Sequence, residues 1–391
     1  MVGARGKLVS NPVPAPAVDA ELKAAGGAAA ERPQHIAQLD GLRTIAVAAV
    51  AWFHWMPLRS YGIPLGPLGV QLFFVLSGFL ITGILLDARS GAQNSAEKRF
   101  ALGRFYCRRF LRIFPLFYLA LATGVLLNLP AFRETWRWHA TYTSNIHCFL
   151  NRDWDGHAGH FWSLAVEEQF YLIWPLVLLF VRRRFFLPVV LSAIVFAPLC
   201  RLGVPLFYAD HDFAHCLTPA CFDSLGVGAL LAYAVRNPEV CDPRRTACIL
   251  LGVGVAGCAL TFGLKVVPKL GQTFAAFVFG WLVYSASRGF AGLFGVFLQA
   301  GPIAYLGRIS YGLYVLHMFA FDALDFAIKH LHVPAAVNNH GMLRAPILAA
   351  ITIIASSISW YLYEKPLNDL KRFFPYARRK EIAPVLAPAS T

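Results

Sequence analysis

Residues 40–54 read DGLRTIAVAAVAWFH, which places an arginine and a histidine inside an apolar stretch. Arg43 and His54 are close to three helical turns apart, so both side chains face one way, about 16 Å apart along the helix axis. Ionisable groups cost several kcal/mol in lipid and normally face a bundle interior or a wet cavity. The pair is therefore a candidate functional site, with His54 at mid-depth. The alternative is a packing role for His54 and an anchoring role for Arg43.

The composition indicates a polytopic membrane protein. The 391 residues are 57% hydrophobic and 14% charged, and the mean hydropathy is +0.54. A soluble domain of this length does not need so much apolar surface, whereas each membrane span takes about 20 apolar residues. The net charge of +14 does not indicate nucleic-acid binding, because the basic residues fall in the connections between the apolar stretches. Successive connections alternate between many and few basic residues, which is a topology signal.

The apolar segments predict an all-α bundle of about ten transmembrane helices. The predicted spans are 42–57, 67–86, 105–129, 161–181, 184–202, 217–235, 246–263, 271–287, 303–327 and 344–364. Segment 290–300 is too short to cross and is expected to be interfacial or re-entrant. With the N-terminus in the cytoplasm, every connection obeys the positive-inside rule, and an even number of spans puts both termini on the cytoplasmic side.

The flanking segments differ in composition from the bundle. Residues 1–36 are rich in Ala, Gly and Pro and predict a disordered cytoplasmic tail. Residues 37–372 form the integral membrane domain, and 373–391 form a second cytoplasmic tail that is basic and then Pro/Ala-rich.

The eight cysteines show no metal-ligand spacing, and no metal site is expected. Cys216 could form a disulfide with Cys221, or one of them with Cys148, if the outer compartment is oxidising. The alternative is that these are free, buried thiols.

The third predicted span opens with Arg109 and Arg112, which are three residues apart and share one helix face at its cytoplasmic end. The planar guanidinium group pairs with two anionic oxygens at once, so two such groups predict a phosphate-binding site. The alternative is an anchor that touches lipid headgroups. That alternative explains Arg104 and Arg108 well, but it explains Arg112 less well because an apolar run follows directly.

The fourth predicted span, FWSLAVEEQFY at 161–171, carries two adjacent carboxylates in an apolar helix. Glu167 and Glu168 point about 100° apart, so they are not expected to share one role. We expect Glu167 to contact His54, to fix its tautomer and to raise its basicity. A structural tie between helices is the alternative.

Further polar residues lie in the remaining apolar segments. Ser310, Tyr314 and His317 have i, i+4, i+7 spacing and form a polar stripe, on which His317 could line the same cavity as His54. Asp223 is a further acid in the outer half. Ser77 is a weak candidate nucleophile, because no strand–turn–helix elbow surrounds it.

Six motifs combine into a pattern that is specific although each motif alone is weak. They are Arg43-x10-His54, FFVLSGFLI (73–81), Arg109-x-x-Arg112, FWSLAVEEQFY (161–171), ISYGLYVLH (309–317) and YLYEKPL (361–367). In this order and spacing, the chain resembles the membrane acyltransferase-3 family from about residue 36 to 372.

The resemblance implies O-acylation of a hydroxyl group, usually on a sugar. The implied donor is cytoplasmic acyl-CoA, often acetyl-CoA, and the acceptor is often presented from the outer side. Envelope polysaccharide, exopolysaccharide, a lipid-linked glycan and a small glycosylated metabolite are all possible acceptors. Such a protein is expected in the bacterial inner membrane, with lipid and a sugar-containing acceptor as partners. Many relatives carry a soluble esterase-like domain after the last span, whereas the present sequence ends shortly after its tenth predicted span. We therefore do not expect a mechanism that needs this domain.

The resemblance also implies roles for individual residues. His54 and Arg43 fall on the family's essential first-span pair, and Glu167 falls on its fourth-span acid. Arg109 and Arg112, with Arg43, are expected to hold the CoA phosphates. His54 is expected to take the proton of the acceptor hydroxyl or to carry the acyl group briefly, with Glu167 orienting it.

Two other functional classes also use such residues. A proton-coupled transporter uses membrane His and Glu, but it usually shows repeated halves, which this sequence lacks. A membrane glycosyltransferase usually places acidic residues on an aqueous loop. The pairs Asp153/Asp155 and Asp210/Asp212 have that spacing, but they are predicted to lie outside, where nucleotide sugars are absent.

Overall fold

The computed structural model describes residues 36–56, 64–207, 212–264, 268–330 and 341–376, and these residues contain helices and connections but no β-strand. The α-helices are α1 Ala37–Trp55, α2 Leu65–Gly91, α3 Ser95–Leu126, α4 Pro130–Ala140, α5 Ser144–Asn151, α6 Phe161–Phe180, α7 Phe186–Phe207, α8 Phe222–Arg236, α9 Pro243–Cys258, α10 Gly271–Arg288, α11 Gly292–Gln299, α12 Gly301–Arg308, α13 Ser310–Leu316, α14 Phe319–His330, α15 Gly341–Ser359 and α16 Lys365–Asp369. Residues 1–35 and 377–391 lie outside the described residues, so the two tails stay predictions.

The all-α, polytopic membrane architecture is confirmed. Within the described ranges, seven helical segments are long and apolar enough to cross a membrane, or nine if each of two bent helix pairs counts as one span. The 19-residue α1 is not in that set, and it carries Asp40, Arg43 and His54. Each of the ten predicted spans corresponds to one of these nine segments or to α1.

Two helices of the bundle are broken. The axes of α10 and α11 differ by 78°, and α11 covers the segment that was expected to be re-entrant. The predicted ninth span, 303–327, is corrected: it consists of α12, α13 and α14, and α13 and α14 are bent by 55° at His317 and Met318. A break of this kind leaves backbone carbonyls without an intrahelical donor, so other groups must satisfy them.

Side chains from two other helices reach the carbonyl groups at this break. The Nε1–H of Trp55, at the end of α1, donates to His317 O at 3.1 Å. His160 Nε2, just before α6, lies 3.3 Å from Val315 O. The break therefore fixes the ends of α1 and α6 against α13.

Glycines allow α2 and α8 to pack closely. A Cβ added at Gly78 would lie 2.0 Å from Leu225 O, and one added at Gly228 would lie 2.1 Å from Val75 O. Helices in lipid associate mainly through van der Waals packing, which small residues at the interface permit. A larger side chain at Gly78, in the sequence SGF (77–79) of α2, would therefore collide with the backbone of α8.

The first helix is held by the segment that follows the α10–α11 bend. Thr44 Oγ1 donates to Ile303 O at 2.6 Å, and Phe290 N donates to Gln38 Oε1 at 2.6 Å. A Cβ at Gly307 would lie 1.9 Å from Asp40 O. These contacts fix the depth of α1 in the bundle, and with it the depths of Arg43 and His54.

Gly228→Ala should destabilise the protein, because the new methyl group collides with the backbone of α2. Overpacking costs about 1–3 kcal/mol. We expect a lower thermal midpoint in detergent, measured by the fluorescence of purified protein on heating. Gly252→Ala is the matched control, since a Cβ there meets nothing within 4 Å. Equal midpoints for the two variants would contradict the close α2–α8 contact.

Candidate functional site

Two cavities among the described residues lie at different depths along α1. The His54 cavity, of about 280 Å³, is lined by His54, and the arginine cavity, of about 220 Å³, is lined by Arg43. Val70, Phe74 and Tyr314 line both cavities. The two cavities therefore meet at one apolar junction with a single hydroxyl group.

His54 lies in the last turn of α1. Its Nδ1 is 2.9 Å from Val50 O and 3.3 Å from Nε2 of His317. Nδ1 of His317 is 2.7 Å from Tyr314 O. Both imidazole rings therefore have Nδ1 directed at a backbone carbonyl oxygen.

These contacts assign the tautomers of the two rings, since a carbonyl oxygen can only accept. A neutral His317 carries its proton on Nδ1 and presents the lone pair of Nε2 to His54. His54 likewise carries its proton on Nδ1, which leaves the lone pair on Nε2. In this tautomer a neutral His54 can accept a proton at Nε2, and His54 is a lining residue of the cavity.

His160 completes a cluster of three histidines. Its ring centroid lies 4.7 Å from that of His317, and that of His54 lies 5.1 Å from His317 on another side. The hydroxyl group of Tyr314 donates to His160 O at 3.1 Å and is hydrogen-bonded to Ser163. The sequence reasoning missed His160, although it stands directly before the helix that carries the two glutamates.

The arginine cavity brings together the three arginines that the sequence singled out. Arg43, Arg109 and Arg112 all line it. Arg43 Nη1 is 2.5 Å from Asp40 Oδ1, and the guanidinium of Arg109 stacks 5.1 Å from the ring centre of Tyr171. Three guanidinium groups in one partly buried cavity suit an anionic ligand.

Both glutamates of α6 line the arginine cavity as well. Ser77 Oγ donates to Glu167 Oε1 at 2.5 Å, and it lies 2.9 Å from the hydroxyl of Tyr171. Oε1 of Glu168 is buried without a hydrogen-bond partner among the described residues. Ser77 therefore holds a carboxylate, and the adjacent glutamates face one cavity despite their different directions.

The structure corrects the expected pairing of Glu167 with His54, because the two residues line different cavities and have other partners. α1 and α6 run in opposite directions, and His160, at the start of α6, is at the level of His54. Glu167 is seven residues further along, about 10 Å closer to the arginines.

The other candidate residues divide between the cavities. Ser310 lines the arginine cavity, and Tyr314 lines both. His317 is fully buried behind His54 and is not a lining residue of either cavity, which corrects that expectation. Asp223 lines the His54 cavity, where its carboxylate pairs with Arg201 at 2.6 Å. Arg201 was missed, because its partner lies on another span.

The segment before α6 contains a buried polar cluster. Asp155 Oδ1 is 2.9 Å from His147 Nδ1, and burial raises the pKa of Asp155. Burial also raises the pKa of the Cys148 thiol to about 12, and all eight cysteines are free, so no disulfide is formed.

The described residues contain no group of three or more His, Cys, Asp or Glu that could hold a metal ion. Asp210, from the second acidic pair, lies outside the described residues.

Comparisons with known proteins identify the family. Residues 36–363 match acyltransferase family 3, described as an acyltransferase domain. The peptidoglycan O-acetyltransferase OatA of Listeria monocytogenes is 28% identical over 365 residues, which cover 86% of this chain and 56% of the relative. The O-acetyltransferase OatA of Staphylococcus aureus is 28% identical over 368 residues, which cover 86% of this chain and 58% of the relative.

The chain thus spans little more than half the length of these curated relatives. No solved structure matches it significantly. The family match covers most of the chain, including both cavities and all six motifs except the last residues of YLYEKPL (361–367). The chain therefore belongs to acyltransferase family 3.

Proposed function

We propose that this chain is an integral membrane O-acyltransferase, which moves an acyl group from acyl-CoA to a hydroxyl of a sugar-containing acceptor. The observation that carries the proposal is the junction at Val70, Phe74 and Tyr314. It joins a cavity lined by three arginines to one lined by a histidine with an assigned basic nitrogen. The names of the relatives support acetyl as the acyl group, and that of the Listeria monocytogenes relative supports peptidoglycan, a cell-wall glycan, as the acceptor.

The arginine cavity is the proposed donor site. The diphosphate and phosphate groups of CoA are anionic, and Arg109 and Arg112 are placed to form charge-assisted hydrogen bonds with them. Arg43 lies in the same cavity on the helix that carries His54. We assign to it the stabilisation of negative charge on the thioester oxygen as that charge develops.

The His54 cavity is the proposed acceptor site. Nε2 of His54 takes the proton of the acceptor hydroxyl while the oxygen attacks the thioester carbon. The C–S bond then breaks, the ester forms, and the proton returns to the departing thiolate. His317 acts as a positioning residue, because its Nε2 accepts from His54 Nδ1 and so keeps the proton of a neutral His54 on Nδ1 and its lone pair on Nε2.

A proton-coupled transporter is the competing function. The observation that favours it is the buried, unpartnered oxygen of Glu168 beside Glu167 within the described bundle, since transporters use such carboxylates as proton sites. Consumption of acetyl-CoA by purified protein, with and without a glycan acceptor, separates the two functions. A transporter would not consume the thioester in either case.

His54→Ala should abolish acyl transfer in a protein that still inserts and folds. A general base contributes about 10²–10⁴ in rate, so the loss should be at least 100-fold. The measurement is transfer of radiolabelled acetyl from acetyl-CoA to glycan by purified protein. His330→Ala is the control, because that histidine is exposed at the end of α14. Undiminished turnover by the His54→Ala variant would refute the assigned role.

His317→Phe should lower kcat by about 10–100-fold, part of what a general base contributes, because His54 loses the partner that orients it. The KM for acetyl-CoA should stay unchanged, since His317 does not line the donor cavity. His317→Gln should restore part of the rate, because its amide oxygen can still accept from His54 Nδ1. Equal rates for the Phe and Gln variants would show that His317 only fills space.

Transfer should occur across the membrane, from the side that carries both termini and the basic connections to the opposite side. The charge distribution supports this proposed sidedness, because the positive-inside rule favours a cytoplasmic position for the arginine cavity. The test uses sealed vesicles of uniform orientation, with acetyl-CoA on one side and an impermeant glycan on the other. Product that forms only when both reagents share the cytoplasmic compartment would exclude transfer across the membrane, although the acyltransferase activity would stand.

A further inference from the structure

The His54 cavity contains a buried hydrogen-bond acceptor that proton transfer does not use. Gln71 lines this cavity at 7% exposure, and its Oε1 has no hydrogen-bond partner among the described residues. Buried polar groups in native proteins are nearly always hydrogen-bonded, and leaving one unpaired is destabilising. The amide oxygen is therefore available to accept an O–H or N–H from a molecule bound in the cavity.

Gln71 lies on the face of α2 that lines the cavity, close enough to His54 along the helix axis for both residues to contact one sugar unit. Pro67, Val70, Gln71 and Phe74 follow i, i+3, i+4, i+7 spacing on α2, and all four line the cavity. The start of α2 touches the end of α1, since a Cβ at Gly66 would lie 2.5 Å from the Phe53 ring. Gln71 is five residues further, about 7–8 Å along α2, within the length of one sugar unit and its hydroxyls.

An aromatic wall faces this helix. The ring centroids of Trp154 and Trp162 are 6.3 Å apart, and that of Trp162 is 6.2 Å from Phe74. Trp154 is 40% exposed, so it stands at the mouth of the cavity, while Trp162 is half-buried further inside. A pyranose ring has an apolar C–H face and a polar edge of hydroxyls, which match an aromatic surface and a buried amide oxygen.

The charges that line the cavity cancel. Among the described residues that line the cavity, the basic and acidic ones other than histidine are Arg201 and Asp223. Their Nη2 and Oδ2 atoms are 2.6 Å apart. Thr273 Oγ1 and Ser224 N also donate to the Asp223 carboxylate, so this carboxylate is saturated by the protein. An anionic sugar would bring a charge without a partner into a partly buried site, which is unfavourable.

We propose, on the basis of the proposed function, that the His54 cavity is a subsite for one electrically neutral sugar unit of the acceptor. Gln71 Oε1 accepts from a hydroxyl or acetamido N–H of that unit, Trp154 and Trp162 contact its apolar C–H groups, and a neighbouring hydroxyl points to His54. Gln71 and Trp154 therefore bind the sugar unit independently of the donor site, and the paired Arg201 and Asp223 disfavour an anionic one.

The first measurement is the binding of two probes to the purified full chain by isothermal titration calorimetry. The neutral probe is chitotetraose, and the anionic probe of the same length is tetragalacturonate. The wild-type protein should bind chitotetraose at least tenfold more tightly than tetragalacturonate. No binding of chitotetraose, or a preference for tetragalacturonate, would overturn the proposal even if no variant were obtained.

The second measurement compares variants. Gln71→Met keeps the length of the side chain but lacks the amide, and it should weaken chitotetraose binding about tenfold, the effect of one buried hydrogen bond. Trp154→Ala should also weaken it and, because Trp154 is exposed, should leave folding intact. Gln93→Met is the matched control, since Gln93 is exposed and lines neither cavity. Wild-type affinity in both the Gln71 and Trp154 variants would overturn the proposal.

The assay of acetyl transfer separates failure of this inference from failure of the proposed function. If wild-type protein transfers acetyl to chitotetraose and Gln71→Met leaves the KM for that acceptor unchanged, only the subsite assignment fails. If wild-type protein transfers nothing but binds chitotetraose through Gln71, the proposed reaction fails and the neutral-sugar site stands. The expected result is a tenfold higher acceptor KM in the variant with an unchanged KM for acetyl-CoA.

Discussion

The arrangement of the site depends on the helix break at His317. Inside a membrane, a backbone carbonyl that loses its helical partner has no bulk water to replace it, so protein groups must satisfy it. Trp55 and His160 reach the carbonyl oxygens at this break, and the imidazole of His317 connects Tyr314 O of its own helix to His54. The same requirement that stabilises the broken backbone therefore gathers three histidines and sets the tautomer of His54.

The two cavities have different electrostatic character for reasons that lie in the fold. Three arginines and two glutamates line one cavity, whereas the charged lining of the other consists of the Arg201–Asp223 pair. Because Arg201 also bonds to Ala220 O and Thr273, its guanidinium is held in place by several helices. One cavity can thus accommodate an anion, while the other presents neutral hydrogen-bonding groups, aromatic rings and histidines.

The sequence was sufficient to predict the features that depend on one helix at a time. Apolar stretches of about 20 residues identify the spans, and i, i+3 spacing puts Arg109 and Arg112 on one face. The prediction that Glu167 contacts His54 was wrong, because the relative depth of two antiparallel helices depends on where each helix begins. An error of a few residues at a helix boundary moves a side chain by about 1.5 Å per residue. The break at His317 carries no proline signal, and the Arg201–Asp223 pair joins two different spans.

The junction at Val70, Phe74 and Tyr314 sets what would have to pass between the cavities in the proposed reaction. CoA carries several charges, and a glycan carries many hydroxyl groups, so moving either one past an apolar junction would be costly. An acyl thioester at the end of a slender arm has neither property. If the donor is bound by the arginines and the acceptor by Gln71 and the tryptophans, as proposed, only the acyl group has to change sides. The proposed reaction then requires one boundary between two cavities, and Val70, Phe74 and Tyr314 line both.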